Sequence, residues 1–316
     1  MRIGNNPEKN KNLKITYKQH RVIIPVYIPN SKESYFNNLF EVFKVSINSL
    51  LNTIDKDQTN ITIINNNCKE EVTIFIDSLL KKKEIDKHIK YKDNYGKVYT
   101  VLSEVKGVFE SIVTIADADV LYFSGWENEV IKIINMYPKV GVVSPLPMPH
   151  LAYYNNISLF IDKFLKIKRG RIVSDESFKL WEEGISNKAF NKWKKQQLYI
   201  EKNSLKACLG AGHFVSTYRN KVLKKCSEYV PEYVFKNGDE NNALDLPIDK
   251  LGYYRLSTVK TYVYHLGNTI PSWCKEKIFT EEKQNKFIDY YEKNKLSLKF
   301  HCKKIVFKFL RKYKII

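Results

Sequence analysis

Residues 112–126 read IVTIADADVLYFSGW. Ile112-Val113-Thr114-Ile115 is a run of apolar and β-branched residues without alternation, which predicts a buried strand. Asp117 and Asp119 follow on either side of Ala118. In an extended backbone, residues i and i+2 face the same way, so both carboxylates are expected to converge on one point. Two carboxylates that close repel unless a cation lies between them. Hard divalent ions such as Mg²⁺ are held by one or two carboxylates together with substrate phosphates. The plainer alternative is a solvated turn whose acids cap the helix starting near Trp126. Taken alone, the triplet leaves both open.

Outward from this stretch, strands and helices alternate. Arg21–Tyr27 (RVIIPVY) predicts a first strand ending at Pro25, because proline cannot donate to a central ladder. Phe36, Leu39, Phe40, Phe43, Ile47, Leu50 and Leu51 recur at helical spacing. Asn60–Ile64 predicts a second strand running into Asn65-Asn66-Asn67, residues 70–83 a helix, and 88–92 a third strand. This alternation predicts an α/β sheet, mostly parallel, with ligands at the carboxyl ends of its strands. Asn94-Tyr95-Gly96-Lys97 reads as a turn, with Lys97 placed either toward a phosphate or into solvent. Downstream, residues 128–136 predict a helix and Val140–Ser144 a strand closed by prolines. Residues 150–205 are Lys-rich and predict helical segments with exposed basic faces. Gly210–Phe214 is a small-residue turn into a strand, followed by a helix over 219–226. Asn237–Glu240 is an acidic loop, and Asp245 and Asp249 lie on a helix stopping near Gly252. Residues 261–268 predict a strand that delivers His265 at its end, either as a ligand or as an ordinary structural histidine.

Composition bounds the function. The chain has 316 residues, 43% hydrophobic, with 21 Tyr and 17 Phe, enough for a sizeable core. A formal charge of +19 implies an anionic partner: nucleic acid, a phosphate-rich substrate or an acidic membrane surface. Five scattered cysteines without Cys-x-x-Cys spacing argue against a disulfide framework or a zinc site. The first residues lack a signal-peptide core, and no apolar run reaches the ~18 residues of a membrane span. The expected location is therefore cytoplasmic. The expected organisation is a polar leader over 1–20, a main domain over 21–275 with halves at 21–145 and 146–275, and a basic tail over 276–316.

The order of these motifs resembles the GT-A glycosyltransferases, most closely the family-2-like bacterial enzymes that build surface polysaccharides. The likeness covers roughly residues 21–275. It implies a Rossmann-like GT-A fold, a mostly parallel central sheet flanked by helices. It also implies a UDP- or GDP-linked nucleotide-sugar donor, a Mn²⁺ or Mg²⁺ ion, and a glycan or lipid-linked acceptor hydroxyl. By resemblance, Pro25, Val26 and Tyr27 line the base pocket. Asn66 stands where the family has a base-contacting Asp. Asn94, Gly96 and Lys97 match the turn near the nucleotide. Asp117 and Asp119 match the family's Asp-x-Asp, and His265 matches a histidine completing the metal site. The family's catalytic base lies in a Glu-Asp pair before a helix. Here that pair reads Asp239-Glu240, in altered order and slightly out of register, with Asp239 the first choice, Glu240 next and Asp245 third. A base at Asp239 implies inversion at the anomeric carbon; without a carboxylate in reach, retention follows.

Two other classes remain open. One is a Mg²⁺-dependent phosphotransferase or phosphatase using Asp117 and Asp119, although such enzymes usually carry the pair on their first strand. The other is a basic nucleic-acid-binding protein, against which stands the lack of any recognised binding motif. No nucleic-acid partner is expected. Residues 293–316 hold nine Lys or Arg and no acid. Leu298, Cys302, Ile305 and Phe309 share a helical face that Val306 and Leu310 widen. That pattern predicts either a helix on an anionic membrane surface, peripheral on its cytosolic side, or a terminal helix docked on the domain.

Overall fold

The computed structural model describes residues 4–11, 16–185, 191–234, 238–275, 286–288 and 299–315. In chain order the first half comprises β1 (His20–Val26), α1 (Leu39–Leu51), β2 (Thr59–Asn66), α2 (Glu70–Lys81), β3 (Lys87–Tyr91), α3 (Gly96–Gly107), β4 (Ile112–Ala116), β5 (Val120–Tyr122), α4 (Trp126–Met136) and β6 (Val140–Ser144). There follow α5 (Ile157–Lys163), β7 (Lys168–Gly170), α6 (Asp175–Ile185), α7 (Asn191–Lys195), β8 (Gln197–Lys202), β9 (Leu205–Leu209), β10 (Val215–Arg219), α8 (Asn220–Cys226), α9 (Leu246–Lys250), β11 (Tyr254–Ser257), β12 (Val263–His265) and α10 (Phe300–Lys312).

Ten strands form one sheet in the order β3-β2-β1-β4-β10-β6-β11-β9-β8-β7. β3, β2, β1 and β4 are parallel neighbours, as are β6 and β11. β10 lies antiparallel between β4 and β6, and β9, β8 and β7 continue antiparallel at the far edge. The α/β architecture, its parallel set and its flanking helices are those expected from sequence. From β1 the chain builds outward to β2 and β3, then crosses to β4 on β1's other side. Such a reversal opens a crevice at the strands' carboxyl ends. Pairing of β1 with β4 stops at Ile23 and Ile115, so Pro25 lies beyond it, where its missing N–H costs nothing on that side.

All seven residues of β1 are buried, including Val22, Ile23 and Ile24, which have no exposure. Each such aliphatic side chain contributes about 1.5–3 kcal/mol by leaving water. β1 also begins on a buried histidine, which demands polar partners. His20 Nδ1 lies 2.6 Å from Glu127 Oε1 and Nε2 lies 2.8 Å from Thr114 Oγ1, joining β1 to α4 and β4.

Residues 150–205 depart from the helical expectation, since β7 and β8 lie there with α5, α6 and α7, and β9 begins at their end. The β8–β9 hairpin turns on Asn203 and Ser204, both left-handed at φ 48° and 64°. That turn carries no glycine to announce it, and Lys202 ends the apolar face that Leu198 and Ile200 begin in β8. α3 also goes beyond the turn read at 94–97, running on to Gly107. Asp117 and Asp119 lie in a turn between β4 and β5 rather than on extended backbone, because pairing of β4 ends at Ala116.

Candidate active site

The crevice beside β1 and β4 holds a cavity of about 620 Å³. All ten residues carried over for the nucleotide and metal line it: Pro25, Val26, Tyr27, Asn66, Asn94, Gly96, Lys97, Asp117, Asp119 and His265. One end is aromatic and apolar, where Tyr27, Tyr35, Phe36 and Leu39 meet. Tyr27 and Phe36 pack edge to face at 6.2 Å, and Tyr35 meets Phe36 at 5.2 Å. Sequence reasoning missed Tyr35 and assigned Phe36 and Leu39 only to a helix face. The available signal was an aromatic pair beside the polar loop that follows β1.

The other end is acidic. The Asp117 amide donates to the Phe214 carbonyl at 2.7 Å, and the Leu266 amide donates to the Asp119 carbonyl at 2.8 Å. These bonds fix both ends of the turn. β12 runs antiparallel to β5 and pairs His265 with Val120, one residue past Asp119. The His265 Nε2 is 3.3 Å from Asp119 Oδ2. Its Nδ1 lies 3.1 Å from the Gly184 carbonyl, to which an Nδ1–H can donate, and this contact holds the ring with Nε2 turned toward Asp119.

Three ligand atoms, one each from Asp117, Asp119 and His265, lie within 4.8 Å of one another. Asp119 Oδ1 is buried without a hydrogen-bond partner. Burial pushes the Asp119 carboxyl up to about 6; His265 opposes that rise and Asp117 adds to it. A buried, unpartnered carboxylate oxygen beside a second carboxylate and an imidazole nitrogen fits a divalent cation.

Lys97, on the first turn of α3, faces Asp117 Oδ1 at 2.5 Å and Glu240 Oε1 at 2.7 Å, and donates to the His213 carbonyl at 3.0 Å. Burial favours the neutral amine, but the two carboxylates outweigh it and raise the Lys97 pKa. α3 can start here because Gly96 adopts φ +77°, and a Cβ on it would fall 2.2 Å from the Val234 carbonyl oxygen.

Asn66 and Asn94 largely satisfy each other. Asn66 Nδ2 donates to Asn94 Oδ1 at 2.6 Å, and Asn66 Oδ1 accepts from the Tyr95 amide at 3.0 Å. Asn94 Oδ1 also accepts from the Gly96 amide at 2.9 Å. Asn66 is 3% exposed, so this pairing ties the end of β2 to the turn that aims Lys97. An aspartate at 66 would set two oxygens face to face. Asn66→Asp is expected to lower stability by about 1–3 kcal/mol in urea titration, the cost of an unmet buried pair. An unchanged midpoint would mean the amide is not a strut.

The acidic pair divides. Asp239 is 5% exposed and accepts from the Tyr229 hydroxyl at 2.7 Å. Glu240 instead faces Lys97, with its second oxygen 3.9 Å from His213 Nε2. Burial raises the Glu240 pKa, but Lys97 and His213 outweigh it and hold the carboxyl below its usual range. Asp245 is 1% exposed, held by Arg255 at 2.7 Å and His213 at 3.0 Å. The third choice for the base is thus a buried support for His213. His213, in the 210–214 turn, was not singled out by sequence, and neither was Arg255, which lies in a buried strand.

No family model matches the chain, and no curated protein matches it. Among solved structures it is similar to mannosyltransferase PcManGT from Pyrobaculum calidifontis, in complex with GDP-Man and Mn²⁺. That match has 13% identity and a TM-score of 0.46 over 77% of this chain and 55% of the other. It is also similar to TarS of S. aureus, at 13% identity and a TM-score of 0.49 over 80% and 37% of the respective chains. TarS 1–349 with UDP-GlcNAc gives 11% identity and a TM-score of 0.46 over 85% and 60%. The chain therefore spans between 37% and 60% of the length of these structures. Likenesses of that size carry no statement about chemistry, which rests on the site's own geometry.

Proposed function

We propose that this chain is a metal-dependent glycosyltransferase that moves a sugar from a nucleotide-sugar donor to an acceptor hydroxyl on a glycan or a lipid-linked glycan. The observation carrying this reading is the pairing of ends in one cavity. An aromatic wall suits a nucleoside base, and the Asp117, Asp119 and His265 cluster with its unpartnered oxygen suits a cation on a diphosphate. A volume of about 620 Å³ lies within the range of small-molecule sites.

Asp119 and His265, with Asp117 beside them, would hold Mn²⁺ or Mg²⁺, which supplies Lewis-acid stabilisation of the departing nucleoside diphosphate. Tyr27, Tyr35 and Phe36 orient the base. Lys97 adds fixed positive charge near the leaving group, in a site where preformed charge needs no reorganisation. Glu240 is ionised at neutral pH, with one oxygen on Lys97 and the other 3.9 Å from His213 Nε2, and it is that second oxygen we assign as the base, in place of Asp239. A base that takes the acceptor proton as the hydroxyl attacks the anomeric carbon in line gives inversion.

A thermal-shift panel of UDP, GDP, CDP, TDP and CMP with and without Mn²⁺ tests the donor class. A ligand that binds only the folded state raises Tm by mass action, about 2.7 kcal/mol at a hundredfold excess over Kd. The expected result is a Mn²⁺-dependent rise with one nucleoside diphosphate. No rise with any of them, together with release of phosphate from a phosphomonoester, would replace this reading by the phosphatase one.

A further inference from the structure

The terminal helix α10 is apolar on two sides. One side docks. Phe307 is 7% exposed and its ring centre lies 5.5 Å from Phe160 on α5. Lys303 is 1% exposed, with its Nζ 2.9 Å from Asp162 Oδ1. The same carboxylate receives Lys139 at 2.9 Å and the Tyr254 hydroxyl at 3.2 Å, and Arg311 lies over the Tyr153 ring at 5.2 Å. A buried ion pair with one partner removed is costly, so this junction fixes α10 firmly on the domain.

The face predicted from sequence to be apolar is the other one. Cys302 is exposed, Ile305, Phe309 and Tyr313 are 56–57% exposed, and Val306 is 40% exposed. At about 100° per residue these five share a sector about 100° wide on the side turned away from Lys303 and Phe307. Exposed Lys304, Lys308 and Lys312, four residues apart, run along one border, and residues 299–315 contain no acid. An isoleucine, a valine and a phenylalanine grouped in water beside a row of cations call for an apolar and anionic counterpart. No helix among the described residues is long and apolar enough to cross a membrane.

We propose that the outward face of α10 lies on an anionic lipid bilayer, with Ile305, Val306 and Phe309 entering the interface and Lys304, Lys308 and Lys312 meeting the headgroups. A second copy of the chain fits less well. An isologous contact puts the same patch on both partners, and self-pairing of this face brings two rows of lysine together. Because α10 is pinned to α5, the bilayer would hold the whole domain in one orientation rather than tether it through a loose tail. This inference stands independently of the sugar-transfer reading.

The test is flotation of the full chain with vesicles of phosphatidylcholine alone or mixed with phosphatidylglycerol, at low and at 0.5 M salt. The expected result is binding to the anionic vesicles at least about tenfold tighter than to the neutral ones, weakened by salt. The double variant Ile305→Asp/Phe309→Asp is expected to lose at least about tenfold in binding with its Tm unchanged, both side chains being exposed. The triple variant Lys304→Gln/Lys308→Gln/Lys312→Gln leaves the apolar stripe intact and is expected to lose the preference for anionic lipid. Ile74→Asp, on α2, serves as control at a site 60% exposed. Equal flotation of wild type and double variant overturns the proposal. So does absence of flotation with a concentration-dependent dimer that the double variant abolishes, which would make a second copy the occupant.

Discussion

Asp119→Ala is expected to cut sugar transfer about a thousandfold, because several kcal/mol of charge stabilisation on the leaving diphosphate goes with the cation's ligand. The Mn²⁺-dependent nucleotide shift is expected to vanish with it. What separates this from simple damage is the opposite sign expected for stability. In metal-free protein, burial and Asp117 hold the Asp119 carboxyl up at about 6, above its ordinary 3.8. A carboxyl raised on folding penalises the folded state wherever it must ionise. The penalty is full above the folded value, shrinks as pH falls toward the unfolded value, and is absent below it. With chelator present, Asp119→Asn is therefore expected to melt at or above the wild-type temperature at pH 7.5, the difference closing by about pH 4. Near-normal transfer by Asp119→Ala would remove the cation from the reading. A lower Tm for Asp119→Asn at pH 7.5 would mean that the carboxylate already has a partner.

The parts of this site visible from sequence are those whose neighbours lie close in the chain. Ile112–Ala116 announces its strand by a run of buried residues, and the acids after it follow from chain direction alone. His265 was legible because its own strand ends there. Its placement beside Asp119 was legible only through the family resemblance, since it depends on β12 pairing with β5 across more than a hundred residues. The same limit hid the far half of the sheet. β11 carries Arg255 in its middle, and a charge there reads as solvent unless Asp245 and the Ala211 carbonyl are known to receive it. Asn66 read as a substituted ligand because its role depends on Asn94, twenty-eight residues on. Cys302, Ile305, Val306 and Phe309 of the outward face of α10 were legible, while Leu298 lies outside the described residues, Leu310 is half-buried, and which face would dock was not legible. Lys303 is the anchor, and only Asp162, on a distant helix, makes a buried lysine tolerable.

The order and register of the acidic pair have a local cause that bears on catalysis. Asp239 and Glu240 open a helical stretch that continues through a π turn at Asn241–Asp245 into α9. A π turn holds one residue more than an α turn, so residues before it are rotated by about 100° relative to an unbroken helix. With this extra residue in the helix, Glu240 faces Lys97, which lines the cavity, and Asp239 faces Tyr229. Glu240→Gln is accordingly expected to lower kcat by about 10²–10⁴-fold, the range for removal of a general base. Donor binding, measured by the nucleotide thermal shift, is expected to change little, since a glutamine can still accept from Lys97. Asp239→Asn keeps an oxygen for the Tyr229 hydroxyl and is expected to retain activity within a few fold, with about 1 kcal/mol lost in stability. The reverse pattern, with Asp239→Asn inactive and Glu240→Gln active, returns the base to Asp239. If both variants stay active, neither carboxylate takes the acceptor proton, and the anomeric configuration of the product, read by NMR, is then expected to be retained.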